Sequence, residues 1–304
     1  MFDLVTVGHF SIDFILLPGE AKPKMRLGGP PTYTSLSAKK IGAEVSVVSN
    51  VGGDFPEKYL RWLRRQGIDL SRLRIDETSK TTSFLIIYYA DSSRDIFLKN
   101  RAPPICVEDI EGLKAKALHI SPIANEVSTT LIEEVANLVP TISLDPQGLL
   151  RRFDNNGKVL LQIIGDLSFL KHVEILKASV EELKTLTGLD NIFKSLRKAI
   201  DFGVKVAIAT IGGGGAYISL GDRVFYVPAA QPKKIVDPTG AGDSFIGGFL
   251  AEYVRGADIL WCASVGSSAA SFAVEEVGPK GFKGRKRIYE RAERVYKMVT
   301  EVTT

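Results

Sequence analysis

The sequence predicts a three-layer α/β/α fold, with a mainly parallel central sheet covered by helices and a small additional β-sheet. Strand-like and helix-like segments alternate along most of the chain, which is typical of a parallel sheet with helical crossovers. Two hairpin-like stretches, at about residues 12–26 and 82–98, do not join this alternation. We expect them to form a lid over the strand ends, where open α/β folds bind their ligands.

The early elements follow from short apolar runs and from the positions of proline and glycine. Residues 4–9 are typical of a buried strand, whereas residues 11–26 contain Pro18-Gly19 and favour extended segments. A helix over 32–40 fits the prolines before it, because proline is tolerated at a helix opening. The further predictions are strands at 44–51, 81–89, 96–98 and 118–121, a turn at Asp91-Ser92-Ser93, a helix through 59–63 that ends near Gly67, and a helix at 127–138.

The later elements show the alternation most clearly. Apolar residues at three- and four-residue spacing indicate the helices, and short β-branched runs indicate the strands. The predicted strands are 141–145, 175–179, 205–211 and a hairpin of 216–220 with 223–227, and the predicted helices begin at 180, 192, 243, 259 and 286.

Bulk composition narrows the class of protein. The chain has 304 residues with 45% hydrophobic and 24% charged residues, and no composition break suggests a linker, so we expect a single domain over 1–304. A net charge of +4 is too small to imply nucleic acid. Cys106 and Cys262 give no disulfide framework, and no leader or membrane-spanning run is evident. We expect a cytoplasmic protein without a membrane partner.

The most specific local pattern is Asp237-Pro238-Thr239-Gly240-Ala241-Gly242-Asp243, which opens a predicted helix. A helix start leaves N–H groups unpaired and carries partial positive charge, so it can hold an anion such as a phosphoryl group. Asp243 would stand beside that anion. Because it lies in a first helical turn, we expect its charged form to be favoured, which would make it a modest base.

The run DPTGAGDSFIGGF from Asp237 resembles the C-terminal signature of the PfkB carbohydrate kinases, the ribokinase-like family, and Leu27-Gly28-Gly29 resembles their N-terminal signature. The resemblance covers the whole chain. It implies ATP- and Mg²⁺-dependent phosphoryl transfer to a hydroxyl, with a monovalent cation as an open candidate. Asp243 would be the catalytic base, and the backbone of Gly240, Ala241 and Gly242 the anion hole.

Three further stretches resemble the donor side of that family. The residues that match its Thr-x-Gly-x-x-Gly motif at the ATP phosphates are Thr210, Gly212 and Gly215, although a structural tight turn explains them as well. Lys177 and Ser179 lie at a strand-to-helix junction, and Ser179 replaces the Asn of the family's Asn-x-x-Glu motif. Glu182 is the Glu that organises magnesium through water in the family; Ser179 and Glu182 also form a capping box. Ser267, in a helix rich in small residues, corresponds to the border of the adenine.

The acceptor side departs from a plain ribokinase. Asp13 matches the family's hydroxyl-binding Asp, and Gly28 and Gly29 form the di-glycine, but Pro30 and Tyr33 replace residues that are often Asn. The motifs LKAS, DPQGLLR and VEEVGP resemble the inositol kinase branch, which places Gln147 and Arg152 near the acceptor. Arg152 could equally be a surface charge.

These patterns predict a kinase for a polyol such as myo-inositol. The alternatives are a nucleoside, ribose, 2-keto-3-deoxygluconate or fructose 6-phosphate as acceptor, or a non-catalytic ligand-binding protein of the same fold. A dinucleotide-dependent oxidoreductase is disfavoured, because the glycine fingerprint is missing after the first strand. The lid strands are edges that could pair in a homodimer.

Overall fold

The computed structural model describes residues 1–90 and 93–303 and shows the predicted alternation of strands and helices. The strands are β1 (Phe2–Val7), β2 (Ser11–Leu16), β3 (Lys24–Gly28), β4 (Val45–Gly52), β5 (Asp69–Asp76), β6 (Ser83–Tyr88), β7 (Arg94–Asn100), β8 (Ala115–Ile120), β9 (Thr141–Leu144), β10 (Arg151–Phe153), β11 (Val159–Leu161), β12 (Ile175–Ser179), β13 (Val206–Thr210), β14 (Ala216–Leu220), β15 (Arg223–Val227) and β16 (Thr300–Val302). The helices are α1 (Pro30–Ile41), α2 (Glu57–Arg65), α3 (Val107–Ile110), α4 (Thr129–Glu134), α5 (Val180–Thr187), α6 (Ile192–Asp201), α7 (Ala241–Tyr253), α8 (Ile259–Ala273) and α9 (Arg285–Tyr296).

The central sheet has the strand order β16-β15-β14-β13-β12-β9-β8-β1-β4-β5. Its strands pair in parallel from β13 to β5, whereas β13 to β16 pair antiparallel. The mainly parallel sheet is therefore confirmed. The sequence prediction missed both edge strands: β5 carries charged residues at alternate positions, and β16 is only three residues long.

Side chains on the two faces of this sheet enter two different hydrophobic clusters. Leu4 packs with α1, α7, α8 and α9, whereas its neighbour Val5 packs with α4, α5 and α6. Ala117 and Leu118 divide in the same way. Because successive side chains of a strand point to opposite faces, this division shows helices covering both faces. The three-layer prediction is confirmed.

The small sheet has the order β3-β2-β6-β7 and joins the two stretches that did not fit the alternation. The short β10–β11 hairpin, which the sequence prediction missed, lies beside β7, where Leu98 N–H donates to the Gly157 carbonyl. The predicted turn after β6 falls mainly on Asp91 and Ser92, which lie outside the described residues. The lid function of this sheet and its pairing in a dimer stay predictions.

Two details of the helices bear on the sequence predictions. Helix α4 (Thr129–Glu134) is shorter than the predicted 127–138: it begins after Ser128, whose side chain caps it by accepting from Leu131 N–H, and it ends at Glu134. Among residues 1–90 and 93–303, no helix has the length and apolar character needed to cross a bilayer.

Candidate active site

A cavity of about 650 Å³ lies between the small sheet and the carboxyl ends of the central strands. Its walls come from β2, β6 and β7, the start of α1, the β10–β11 hairpin, the ends of β12 and β13, and the turn before α7. The carboxyl ends of parallel strands are where open α/β folds bind ligands. The cavity is therefore the candidate active site.

The predicted anion turn forms one end of this cavity. Gly240 has left-handed backbone (φ 74°) and precedes the first turn of α7. The N–H groups of Gly240, Gly242 and Asp243 have no partner among the described residues, whereas Ala241 N–H donates a long 3.3 Å bond to the Pro238 carbonyl. The unpaired donors therefore include Asp243 N–H as well as those of the two predicted glycines. Such a group of donors at a helix start suits a phosphoryl group.

Two contacts hold this turn in place. The Asp237 carboxylate accepts from Thr239 N–H and Gly278 N–H, at 3.0 and 3.1 Å. The ring of Tyr33 lies beneath Gly240, where a Cβ atom would lie 2.3 Å from the ring carbons. Glycine is therefore required at position 240 both for its backbone conformation and for this close approach.

Asp243 points into the cavity, and its carboxylate has no hydrogen-bond partner among the described residues. Burial raises the pKa of Asp243 to about 7, although the Lys177 ammonium opposes this shift. The expectation that the charged form is favoured is therefore wrong, because removal of the carboxylate from water has a larger effect than the nearby Lys177 charge. A carboxylate with a pKa near 7 is a better general base than the sequence suggested.

The pH dependence of activity should follow from these carboxylates. Only ionised Asp243 can accept a proton, so kcat/KM should fall about tenfold per pH unit below about pH 7. Burial also raises the pKa of Asp13 to about 6, so the slope should steepen below that pH if ionised Asp13 holds the acceptor. A kcat/KM profile between pH 5 and 9 checks this, and constant activity from pH 5 to 8 would contradict it.

Lys177 and Asp145 form a buried ion pair at the floor of the cavity. Lys177 Nζ lies 2.6 Å from Asp145 Oδ2, and the two side chains are 6% and 0% exposed. Burial alone would lower the pKa of Lys177, but the carboxylates of Asp145, Glu182 and Asp243 together raise it well above its ordinary value. A Cβ on Gly242 would lie 2.7 Å from Lys177 Nζ. A permanent positive charge therefore lies directly against the anion turn.

Glu182 has a structural partner and a free oxygen. Its Oε2 accepts from Ser179 N–H and Oγ–H, both at 2.8 Å, and Ser179 Oγ accepts from Glu182 N–H, so the capping box is present. Its Oε1 has no hydrogen-bond partner in the described part of the chain. There, no group of three His, Cys, Asp or Glu side chains could hold a metal ion. The single free oxygen Glu182 Oε1 is of the kind that Mg²⁺ uses, because Mg²⁺ is usually bound by one or two carboxylates together with water and substrate phosphates.

The other predicted donor residues divide into two groups. Thr210 and Gly212 line the cavity. Gly215 does not; it packs against β15, where a Cβ would lie 2.3 Å from the Val227 carbonyl oxygen. Ser267 is buried, donates to the Pro228 carbonyl and accepts from Ala230 N–H. The structure gives Gly215 and Ser267 structural contacts outside this cavity.

At the acceptor end, Asp13 lies 5% exposed on β2. Its Oδ1 accepts a 2.7 Å hydrogen bond from Ser11 Oγ, and its other oxygen lies where a Cβ on Gly28 would be. A side chain at position 28 would occupy the space of the Asp13 carboxylate, so glycine is needed there. Gly29 lines the cavity and caps the start of α1. The structure brings together Asp13, Gly29 and Asp243 around one space.

Gln147 also lines the cavity, but Arg152 is exposed and is absent from the lining. Its neighbour Arg151 lines the cavity instead and donates to Gln147 Oε1 at 3.0 Å. The two arginines point to opposite sides because residues 151–153 form strand β10. Arg94, on β7, also lines the cavity, and its Nη1 donates to the Tyr88 hydroxyl. Successive side chains of a strand point to opposite sides. Recognising residues 151–153 as a strand would therefore have indicated that Arg151 and Arg152 cannot both face the cavity.

The fold and this cavity define a small-molecule kinase, in which an anion turn and a carboxylate face a pocket beneath a small sheet. The chain belongs to the pfkB family of carbohydrate kinases, whose model matches residues 1–282. It is therefore a phosphotransferase that acts on a hydroxyl group of a sugar or nucleoside. The family resemblance of its two glycine motifs is confirmed.

Three similar proteins bear on the acceptor. A cytidine kinase of Thermococcus kodakarensis is 32% identical over 91% of this chain and 98% of that protein. An inositol 3-kinase of Oryza sativa subsp. japonica is 29% identical over 95% of this chain and 73% of that protein. The solved nucleoside kinase of Methanocaldococcus jannaschii is 25% identical, with a TM-score of 0.78 over 97% of this chain and 99% of that chain.

Proposed function

We propose that this protein transfers the γ-phosphoryl group of ATP to a hydroxyl of a nucleoside. The observation that carries the proposal is an apolar wall at the acceptor end of the cavity. The wall is formed by Phe84, Ile86, Ile96, Ile123, Val159 and Leu161. Phe84 and Ile86 alternate on one face of β6, so the small sheet supplies part of this wall.

A nucleoside matches this arrangement because its two halves differ in polarity. A flat base can cover the apolar wall while the ribose hydroxyls reach Asp13 and Asp243. A polyol such as myo-inositol carries hydroxyls around its whole ring, and those facing the wall would lose their hydrogen bonds to water. The 32% identity to a cytidine kinase supports the same choice.

The donor side supports ATP with Mg²⁺. The unpaired N–H groups before α7 and the Lys177 ammonium suit a chain of phosphates, and Glu182 Oε1 suits a hydrated magnesium ion. Asp243 is the proposed base, which takes the proton of the attacking hydroxyl. A monovalent cation remains a prediction from the family resemblance alone.

An ADP-release assay with ATP and Mg²⁺ tests the acceptor. We expect kcat/KM for at least one of cytidine, uridine, adenosine, inosine or guanosine to exceed that for free ribose by about 10². Ribose is the matched control because it lacks only the base, and burying roughly 100 Å² of base at about 25 cal/mol per Å² corresponds to that factor.

The same panel includes myo-inositol, 2-keto-3-deoxygluconate and fructose 6-phosphate. The sequence-based prediction of myo-inositol, which the similarity to the rice enzyme keeps open, would replace the nucleoside proposal if myo-inositol turned over faster than every nucleoside. An absence of ADP release with all acceptors would favour a ligand-binding protein of the same fold.

A further inference from the structure

Arg151 lines the cavity and is held there by three contacts. Its Nη1 donates to the Ile123 carbonyl at 2.8 Å, and its Nη2 donates to Gln147 Oε1 at 3.0 Å. Its guanidinium carbon lies 5.7 Å from the centre of the Phe84 ring. These contacts fix the plane of the guanidinium before any ligand binds. A side chain fixed in advance loses little entropy when it engages a ligand.

The loop that accepts from Arg151 is itself rigidly supported. The buried Glu126 carboxylate accepts from Ile123 N–H and Ala124 N–H, and its Oε1 also accepts from His9 N–H. The Glu126 carboxylate therefore accepts from backbone N–H groups. The Arg151 guanidinium donates instead to two neutral acceptors, the Ile123 carbonyl and Gln147 Oε1. The structure therefore supports the position of Arg151 without bringing the Glu126 carboxylate into an ion pair with it.

In the described part of the chain, the Arg151 guanidinium forms no ion pair. Among residues 1–90 and 93–303, no carboxylate lies within ion-pairing distance of its guanidinium, whereas Lys177 at the same cavity is paired with Asp145. Burial lowers the pKa of Arg151 below its ordinary value, although arginine stays charged. Charges removed from water in proteins are normally paired. An unpaired cation that lines a ligand cavity indicates that the ligand brings the anion.

The anion in question is the phosphoryl group in transfer. Nucleosides, ribose and myo-inositol are uncharged, so none of these acceptors can supply the anion. The carboxylates that interact electrostatically with Arg151 include Asp13 at the acceptor end and Glu182 at the donor end, together with Asp243. Arg151 therefore lies within electrostatic reach of both ends of the cavity, between which the γ-phosphoryl group must pass.

We propose that Arg151 is a catalytic residue whose guanidinium contacts the γ-phosphoryl oxygens during transfer. In that step the acceptor oxygen forms a bond to phosphorus, the bond from phosphorus to the β,γ-bridging oxygen breaks, and ADP leaves with the electron pair. The hydroxyl proton passes to the Asp243 carboxylate. Negative charge spread over the equatorial oxygens is then met by a fixed cation. This inference rests on phosphoryl transfer to an uncharged acceptor, but not on which uncharged acceptor that is.

The test replaces Arg151 by methionine, with Arg152→Met as the matched control one residue along the same strand. With saturating ATP, Mg²⁺ and the best acceptor of the panel, we expect kcat of Arg151→Met to fall by about 10³ or more, the range of arginine fingers. The acceptor KM should change little, and Arg152→Met should stay within about twofold of the native enzyme. In Arg151→Ala, added guanidinium or methylguanidine should restore part of kcat, which a folding defect would not allow.

A second readout separates this proposal from the nucleoside proposal. The complex of Mg²⁺, ADP and aluminium fluoride mimics a phosphoryl group in transfer and requires no acceptor turnover. Arg151→Met should bind it at least 10²-fold more weakly than native enzyme, with the affinity for ADP alone unchanged. Equal binding of the complex, or a rise in acceptor KM with kcat kept, would overturn the catalytic role of Arg151. Failure of nucleosides as acceptors would leave both expected results in place.

Discussion

Replacing Asp243 by asparagine should lower kcat by a factor on the order of 10²–10⁴, the usual contribution of a general base, while nucleotide affinity is kept. Asparagine has nearly the same shape but cannot accept the proton of the attacking hydroxyl. The backbone N–H of residue 243, which belongs to the anion turn, is retained. The carboxylate also has no hydrogen bond to other described residues that the change would break.

Single-turnover and steady-state kinetics, together with ATP titration by calorimetry, check this prediction. The acid limb near pH 7 should disappear from the residual activity, because the group that titrates there has been removed. Asp190→Asn, at an exposed position that does not line the cavity, is a suitable control. Turnover of Asp243→Asn within about threefold of native would remove Asp243 from the role of base.

The parts of the fold that sequence could predict are those whose pattern is local. Central strands such as β8 and β13 are short apolar runs because both of their faces are buried. The missed strands β5, β10 and β16 carry exposed polar side chains, so their pairing depends on a neighbour rather than on their own hydrophobicity. Sequence therefore indicated the layers of the fold more reliably than the edges of its sheets.

The candidate site shows the same division. The turn from Asp237 to Asp243 is contiguous, so its motif contains most of its own geometry. The choice between Arg151 and Arg152 depends on whether β10 is a strand, and the high pKa of Asp243 depends on burial by distant segments. The apolar wall is likewise assembled from segments between Phe84 and Leu161. Properties that arise only when such segments meet could not be inferred from residue spacing.

Replacing Asp145 by asparagine should be the most destabilising of these changes. Asp145 is fully buried, and its Oδ2 lies 2.6 Å from Lys177 Nζ. Asparagine would leave the Lys177 ammonium buried without its counter-charge, and breaking a buried pair in this way costs about 3–5 kcal/mol. Urea and thermal unfolding measure the loss. As a control, Glu301→Gln breaks the exposed pair with Arg223 and should leave the free energy of unfolding nearly unchanged.

The double variant Asp145→Asn/Lys177→Met separates stability from function. Removing both charges eliminates the unpaired ammonium, so much of the lost free energy of unfolding should return. Activity should not return, because the positive charge against Gly242 is then missing from the anion turn. Weaker ATP binding by the refolded double variant would show that the Lys177 ammonium interacts with the phosphates of ATP. Recovery of native kcat and ATP affinity together with stability would show instead that the pair serves the fold alone.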